Sequence, residues 1–354
     1  MKNNQYKIFI TGLVVALTFV QISCSGTDDY QELQPLVSVP DNFPPYVDSQ
    51  TNPLSRDGIA LGKKLFFDTT LSGNNTVSCA SCHLPQKGFT DGLALSNLGI
   101  SGNTLHRNSP TLVNLAWANN GLFWDGGSTN LESQAFAPLA HPDEMFQNLN
   151  QLVQELKSNA TYVSMFEKAF KQEVTQSGIV KALAQFQRTL ISSNSRYDKF
   201  IRNESDGTMT EEELDGLDLA QQFCFSCHTS PLFTDNLYHN NGLDSDFSDT
   251  SFEGMLQGRF RVTNNTNDLG KFKTPTLRNV EVTAPYMHDG RLSTLDDVLN
   301  HYSSGVVNSP TLDASLNHSG TLGIPLTSSE KAKIIAFLKT LTDNQFLNDT
   351  RFSE

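Results

Sequence analysis

Positive charge is scarce in this chain. Lys and Arg total 25 against 38 Asp and Glu in 354 residues, a formal net charge of −13. A nucleic-acid-binding surface needs the reverse balance, so that class of partner is excluded. The acidic balance suits a small cationic redox partner, although mean charge only biases association. Long apolar runs are missing too: Ile8–Val20 is too short to cross a bilayer as a helix. No run alternates apolar and polar residues well enough to read as a strand, which points to an all-α chain. Charged residues make up only 18% and hydrophobic residues 38%, which excludes a disordered chain and permits a packed core. Tryptophan occurs twice and cysteine five times, so each has to be accounted for.

The apolar run follows Lys2 and Lys7 and precedes Ile22, Ser23 and Cys24, the pattern of a secretory signal over residues 1–23. Cys24 resembles the acylated cysteine of bacterial lipoproteins, with Gln21 where such sequences usually carry Leu. Residues 24–52, polar and rich in proline (Pro35, Pro40, Pro44, Pro45), read as a tether. The expectation is an exported, periplasmic protein held to a membrane by lipid alone. An exported chain would normally pair its cysteines. Here the other four fall into Cys79-Ala-Ser-Cys82-His83 and Cys224-Phe-Ser-Cys227-His228, leaving no spare thiol.

Helical periodicity covers Ile59–Phe67, Leu149–Glu173, Ile179–Leu190, Glu211–Cys224, Thr294–Tyr302 and Ser328–Leu341, with Ser328 and Ser329 ahead of Glu330 as the N-cap of the last. The chain also repeats itself. Phe89-Thr90-Asp91, Ser109-Pro110-Thr111-Leu112 and Trp124-Asp125-Gly126 follow the first Cys-x-x-Cys-His. Phe233-Thr234-Asp235, Thr274-Pro275-Thr276-Leu277 and His288-Asp289-Gly290 follow the second. One domain duplicated, with a longer insertion in the second copy, explains the pattern. Residues 53–202 and 211–345 are the two domains, joined through Asn203–Thr210.

In Cys-x-x-Cys-His the thiols add to the haem vinyl groups and the histidine is held under the ring to bind iron. Zinc would need further ligands at matched spacing, and a dithiol redox pair needs no histidine after its second cysteine. Two copies at equivalent places in a repeat argue for two covalent haems c, held by Cys79, Cys82 and His83 and by Cys224, Cys227 and His228.

The chain resembles the bacterial di-haem cytochrome c peroxidases and their MauG-type relatives. Arg107-Asn-Ser-Pro-Thr-Leu112, Phe123-Trp-Asp-Gly126, Lys273-Thr-Pro-Thr-Leu-Arg-Asn279 and Thr283-Ala-Pro-Tyr-Met-His-Asp-Gly-Arg291 carry the resemblance, which covers roughly Leu54 to Leu341. It implies two cytochrome c-like domains with their haems facing a shared interface. The His83 haem is then the peroxide site, with Glu144 as proton shuttle and Gln134 as its companion. Trp124 is the stepping stone for electrons, whereas Trp117 reads as core. The His228 haem receives electrons and takes a sixth ligand. Tyr302 occupies the family's position, 14 residues after His288, with His301 and Met287 as competitors. Classical members carry Met there, and MauG-type members Tyr. Classical members also carry a distal histidine eight residues ahead of the Asn108 position. That place is Ile100 here, with His106 offset. A calcium ion between the haems would be held by Asn108, Thr283 and Pro285.

The resemblance implies reduction of hydrogen peroxide to water with electrons from a small cytochrome c or cupredoxin, and it leaves a homodimer open. The alternatives are a MauG-type oxidase of a protein substrate, which Tyr302 and Ile100 favour, and a plain electron carrier, which would have no use for Glu144 and Gln134.

Overall fold

The computed structural model describes residues 36–248, 250 and 254–354. The signal, Cys24 and the first part of the tether lie outside the described residues. Helices dominate, joined by long loops. Among the described residues the strands are two short antiparallel pairs, Tyr238–His239 with Phe272–Lys273 and Asn317–His318 with Thr321–Leu322. No described helix is long and apolar enough to cross a membrane.

Two apolar clusters organise the helices. The first gathers α1 (Arg56–Phe67), α5 (Ala160–Phe170) and α6 (Gln176–Arg188) through Leu61, Leu65, Phe66, Phe166, Leu183 and Phe186. The second gathers α8 (Glu211–Phe223) and α10 (Ser328–Lys339) through Leu217, Ala220, Ile334 and Phe337. Each has a glycine where its helices cross. A Cβ on Gly62 of α1 would sit 2.0 Å from the Ala182 carbonyl oxygen of α6. A Cβ on Gly216 of α8 would sit 1.9 Å from the Lys333 carbonyl oxygen of α10. Only a hydrogen fits there, so the backbones touch.

The clusters do not follow the sequence boundaries of 53–202 and 211–345. Tyr197 and Phe200, on the short helix α7 (Arg196–Ile201), pack into the second cluster. Phe346, Leu347 and Phe352, beyond Leu341, return to the first. The physical reason lies at Asp198. Its carboxylate and the Arg278 guanidinium are both fully buried and bonded bidentately at 2.7 Å, which fixes α7 to the second half.

Helix ends follow their caps. The expected helix over Leu149–Glu173 is α4 (Leu149–Ser158) and then α5, because the Asn159 side chain accepts the Thr161 N–H at 3.0 Å and starts a new helix. α10 is capped by Thr327, which forms a capping box with Glu330, rather than by Ser328 or Ser329. Helix α3 (Leu131–Ala140) is absent from the sequence reading; Pro138 within it weakens the pattern.

Candidate functional site

The first motif sits on one helical turn, α2 (Cys79–Cys82), capped by Ser78. His83 follows, and its Nδ1 lies 2.8 Å from the Phe89 carbonyl oxygen. The second motif repeats this arrangement: His228 Nδ1 lies 3.2 Å from the Phe233 carbonyl oxygen. Phe89 and Phe233 both hold left-handed backbone, with φ of 61° and 55°, which aims each carbonyl at its imidazole. An imidazole held through Nδ1 presents Nε2 as the ligand atom. Burial lowers the pKa of both rings below the usual histidine value, favouring the neutral form that binds metal.

The thiols argue against a reactive dithiol pair. Neither pair forms a disulfide. Burial pushes Cys79 and Cys224 up to about 12 and Cys82 up to about 11. A reactive dithiol requires the opposite shift, whereas a thioether carries no charge. Cys227, Asp235 and His239 lie close enough to hold a metal ion, but thioether formation would remove the Cys227 donor.

Each motif opens on its own cavity, about 420 Å³ beside His83 and about 300 Å³ beside His228. Glu144, His106 and His141 border the first. Glu144 keeps 35% of its side chain exposed, and its Oε1 lies 3.9 Å from His141 Nδ1. Gln134 projects from α3 and borders both cavities; its Oε1 is buried without a partner among the described protein atoms. Trp124 also borders both, with its Nε1 donating to the Asn108 carbonyl at 2.9 Å. Its own carbonyl accepts the Lys273 N–H at 2.7 Å, joining the two halves at this residue. Asn108, Thr283 and Pro285, expected around calcium, all border the second cavity, and Asn108 borders the first as well.

Tyr302 lies on a π-helical turn, His301–Gly305, that continues α9 (Leu295–Asn300). Such turns are frequent at functional sites. The tyrosine borders the His228 cavity, and burial pushes its hydroxyl up to about 12. Met287 borders the same cavity, with its Sδ 3.4 Å from Asn241 Nδ2. His301 does not; its Nε2 lies 3.0 Å from the Asn241 carbonyl oxygen.

Two expectations are corrected. Ile100 does not border the His83 cavity, whereas His106 does. The loop folds back through Leu105 N–H to Ser96 O and Ile100 N–H to Glu144 O, which swings His106 inward. Trp117 is not core: it is part-exposed, borders the His228 cavity and packs edge-on against Phe43 and Tyr46.

Other residues escaped the sequence reading. His239 lies between Asp313 (2.5 Å) and Asp235 (2.8 Å) at the His228 cavity. The Asp313 bond above all raises its pKa to about 11, followed by the Cys227 thiol and then Asp235. Arg261, from the insertion, reaches back to the Trp124 turn and donates to Asp125, which Arg107 also holds at 2.9 Å. No local pattern announces such pairings; His239 and Asp313 are 74 residues apart.

The residues fit haem c at both motifs: two part-buried thiols outside any disulfide, an imidazole held by a backbone carbonyl, and a cavity facing each. Comparison with known proteins agrees. The sequence profile of the di-haem cytochrome c peroxidase family matches residues 56–206. The methylamine utilization protein MauG of Methylorubrum extorquens is 35% identical over 302 residues, covering 82% of this chain and 80% of its own. The cytochrome c551 peroxidase of Nitrosomonas europaea is 35% identical over 295 residues, covering 83% and 82%. A crystal structure of a MauG-like protein associated with microbial copper homeostasis superposes with a TM-score of 0.79 at 34% identity, covering 89% of this chain and 98% of that one. With two carbonyl-held haem-attachment histidines and an indole shared between their cavities, this chain belongs to the di-haem cytochrome c peroxidase family.

Proposed function

We propose that this protein is a peroxidase that reduces hydrogen peroxide to water at the His83 site, with electrons received at the His228 site. The unequal chemistry of the two cavities carries the reading. Glu144 and the imidazoles of His106 and His141 border only the His83 cavity. Tyr302 and Met287 border only the other.

Bound haem supplies the iron that exchanges electrons with peroxide. The chain supplies the rest. Glu144 takes a proton from one peroxide oxygen and delivers it to the departing one, as a shuttle reachable from solvent should. Gln134 Oε1 accepts a hydrogen bond that orients peroxide or the product water. Trp124, held by Asn108, relays electrons between the halves. Tyr302, on the lining of the second cavity, would hold the haem there as a further protein ligand. A Glu144→Gln variant keeps the shape and removes the shuttle. Steady-state peroxide turnover should fall by about 10²–10⁴ while both haem spectra survive. Near-normal turnover would overturn the assignment.

The repeated local geometry supports descent of the two halves from one duplicated domain. The acidic chain suits a cationic cytochrome c or cupredoxin as donor, and the Cys24 signal pattern supports a lipid-anchored periplasmic location. Asn108, Thr283 and Pro285 suit calcium, an oxygen-seeking ion. Tyr302 also favours a second reading, peroxide-driven oxidation of a protein substrate as in MauG-type relatives. That reading requires the resting protein to react with peroxide before any reduction. A Soret band that stays unchanged in stopped flow until one electron is added would mean that a side chain such as His106 closes the first iron.

A further inference from the structure

His288 belongs to the second His-Asp-Gly turn, and nothing above gives its side chain a task. Only 3% of the residue is exposed. Its ring stacks on Phe272 with centroids 3.7 Å apart and planes 8° from parallel. The Arg107 guanidinium lies over the same phenyl ring, 5.6 Å from its centroid. His288 and Phe272 border the His228 cavity and not the His83 cavity. Nε2 of His288 is buried with no partner among the described protein atoms.

Buried polar groups in folded proteins are almost always hydrogen-bonded, so a fixed imidazole with a free nitrogen beside a cofactor cavity calls for a partner from the cofactor. The rim of a haem offers hydrogen bonding through its two propionate carboxylates; the remainder of the rim is hydrocarbon. A neutral imidazole with its proton on Nε2 donates to such a carboxylate. The adjacent carboxylate of Asp289 is occupied by Arg291.

The backbone gives this contact a consequence. The His288 carbonyl accepts the Asn108 N–H at 2.8 Å, and the Asn108 carbonyl accepts Trp124 Nε1 at 2.9 Å. A haem held at His288 is therefore registered against the indole through two hydrogen bonds. We propose that His288 Nε2–H binds a propionate of the haem attached at Cys224, Cys227 and His228, and thereby positions that haem relative to Trp124. His288 is a positioning residue. The proposal rests on the di-haem reading and deepens it.

The test uses the full-length holoprotein and the variants His288→Leu and His288→Gln. Pyridine haemochrome first counts the haems; fewer than two in the wild type would sink the di-haem reading itself. With two haems present, resonance Raman should show a propionate bending band that moves in His288→Leu and is retained in His288→Gln, whose amide can still donate. A carboxylate stripped of a donor favours ferric iron, so the midpoint potential of the His228 haem should fall in His288→Leu while that of the His83 haem holds. An unmoved propionate band, or equal shifts at both haems, would overturn the proposal. If His288→Leu fails to load both haems, the Gln variant decides: its band must stay at the wild-type position, and its His228 potential must lie close to wild type.

Discussion

The two halves attach their haems in the same way and surround them differently. Each imidazole rests on the carbonyl of a left-handed phenylalanine, and each half crosses its main helices at a glycine. Yet Val113 is a buried valine in the first half. Arg278, at the matching place in Thr-Leu-x-Asn, is a fully buried cation paired with Asp198 and placed over the Phe43 ring at 4.6 Å. The cavities diverge likewise, with a carboxylate and two imidazoles at one and a part-buried tyrosine at the other. Attachment geometry is thus held fixed while the opposing face and the support behind it vary. What borders each cavity differs, while what holds each histidine does not.

The largest effect should come from breaking one attachment. A Cys224→Ala/Cys227→Ala chain should carry one haem instead of two by mass and by haemochrome, with the His83 Soret features kept. Loss of both haems would show that the halves are not separable units. Next comes the buried ion pair. Asp198→Ala leaves the guanidinium unpaired and should cost about 3–5 kcal/mol in denaturant unfolding. Replacing both partners by apolar residues, as the first half does at Val113, should be near neutral by comparison. A double variant as damaged as the single one would mean that the pair itself supplies the stability.

The glycine crossings test the likeness of the halves. Gly62→Ala and Gly216→Ala each drive a methyl into a backbone carbonyl, and overpacking of this kind typically costs about 1–3 kcal/mol. Gly62→Ala should disturb the His83 haem spectrum and Gly216→Ala that of His228; the reverse pattern would separate crossing from haem support. The smallest effect concerns pH. His239, raised by Asp313 above all, stabilises the fold fully below the ordinary histidine pKa. That contribution fades as pH rises through the raised pKa. Asp313, held low by His239, adds stability above the usual carboxylate range that is lost as pH falls. His239→Asn should flatten the decline in stability between neutral and alkaline pH. An unchanged slope would mean that thioether formation at the neighbouring Cys227 has already released the imidazolium.

Much of the site was legible because its spacing is chemical. Two thioethers and a ligand impose Cys-x-x-Cys-His, and the family motifs locate Trp124, Glu144 and Gln134, which the fold brings to the cavities. Helix cores were legible from apolar periodicity. What escaped depends on distant partners or on single caps. Asn159 splits a helix with one side chain, and Thr327 takes a cap assigned to its serine neighbours. Ile100 sits at the right offset but on a loop whose hydrogen bonds bring His106 inward instead. His239 becomes notable only when Asp313 folds against it.

The return of residues 344–352 to the first cluster bears on how the chain comes together. Phe346 packs on Phe89, ring centroids 5.8 Å apart, and the Phe89 carbonyl is the group that steadies His83. Phe352 lies against Phe186 and Phe346 in the same core. Domains commonly fold in order of synthesis. Here the earlier half cannot finish its interior until a segment encoded downstream of the second haem motif arrives. Shortening the chain before Phe346 should therefore loosen a haem bound more than two hundred residues upstream. The downstream strap thus closes the core that surrounds the upstream site.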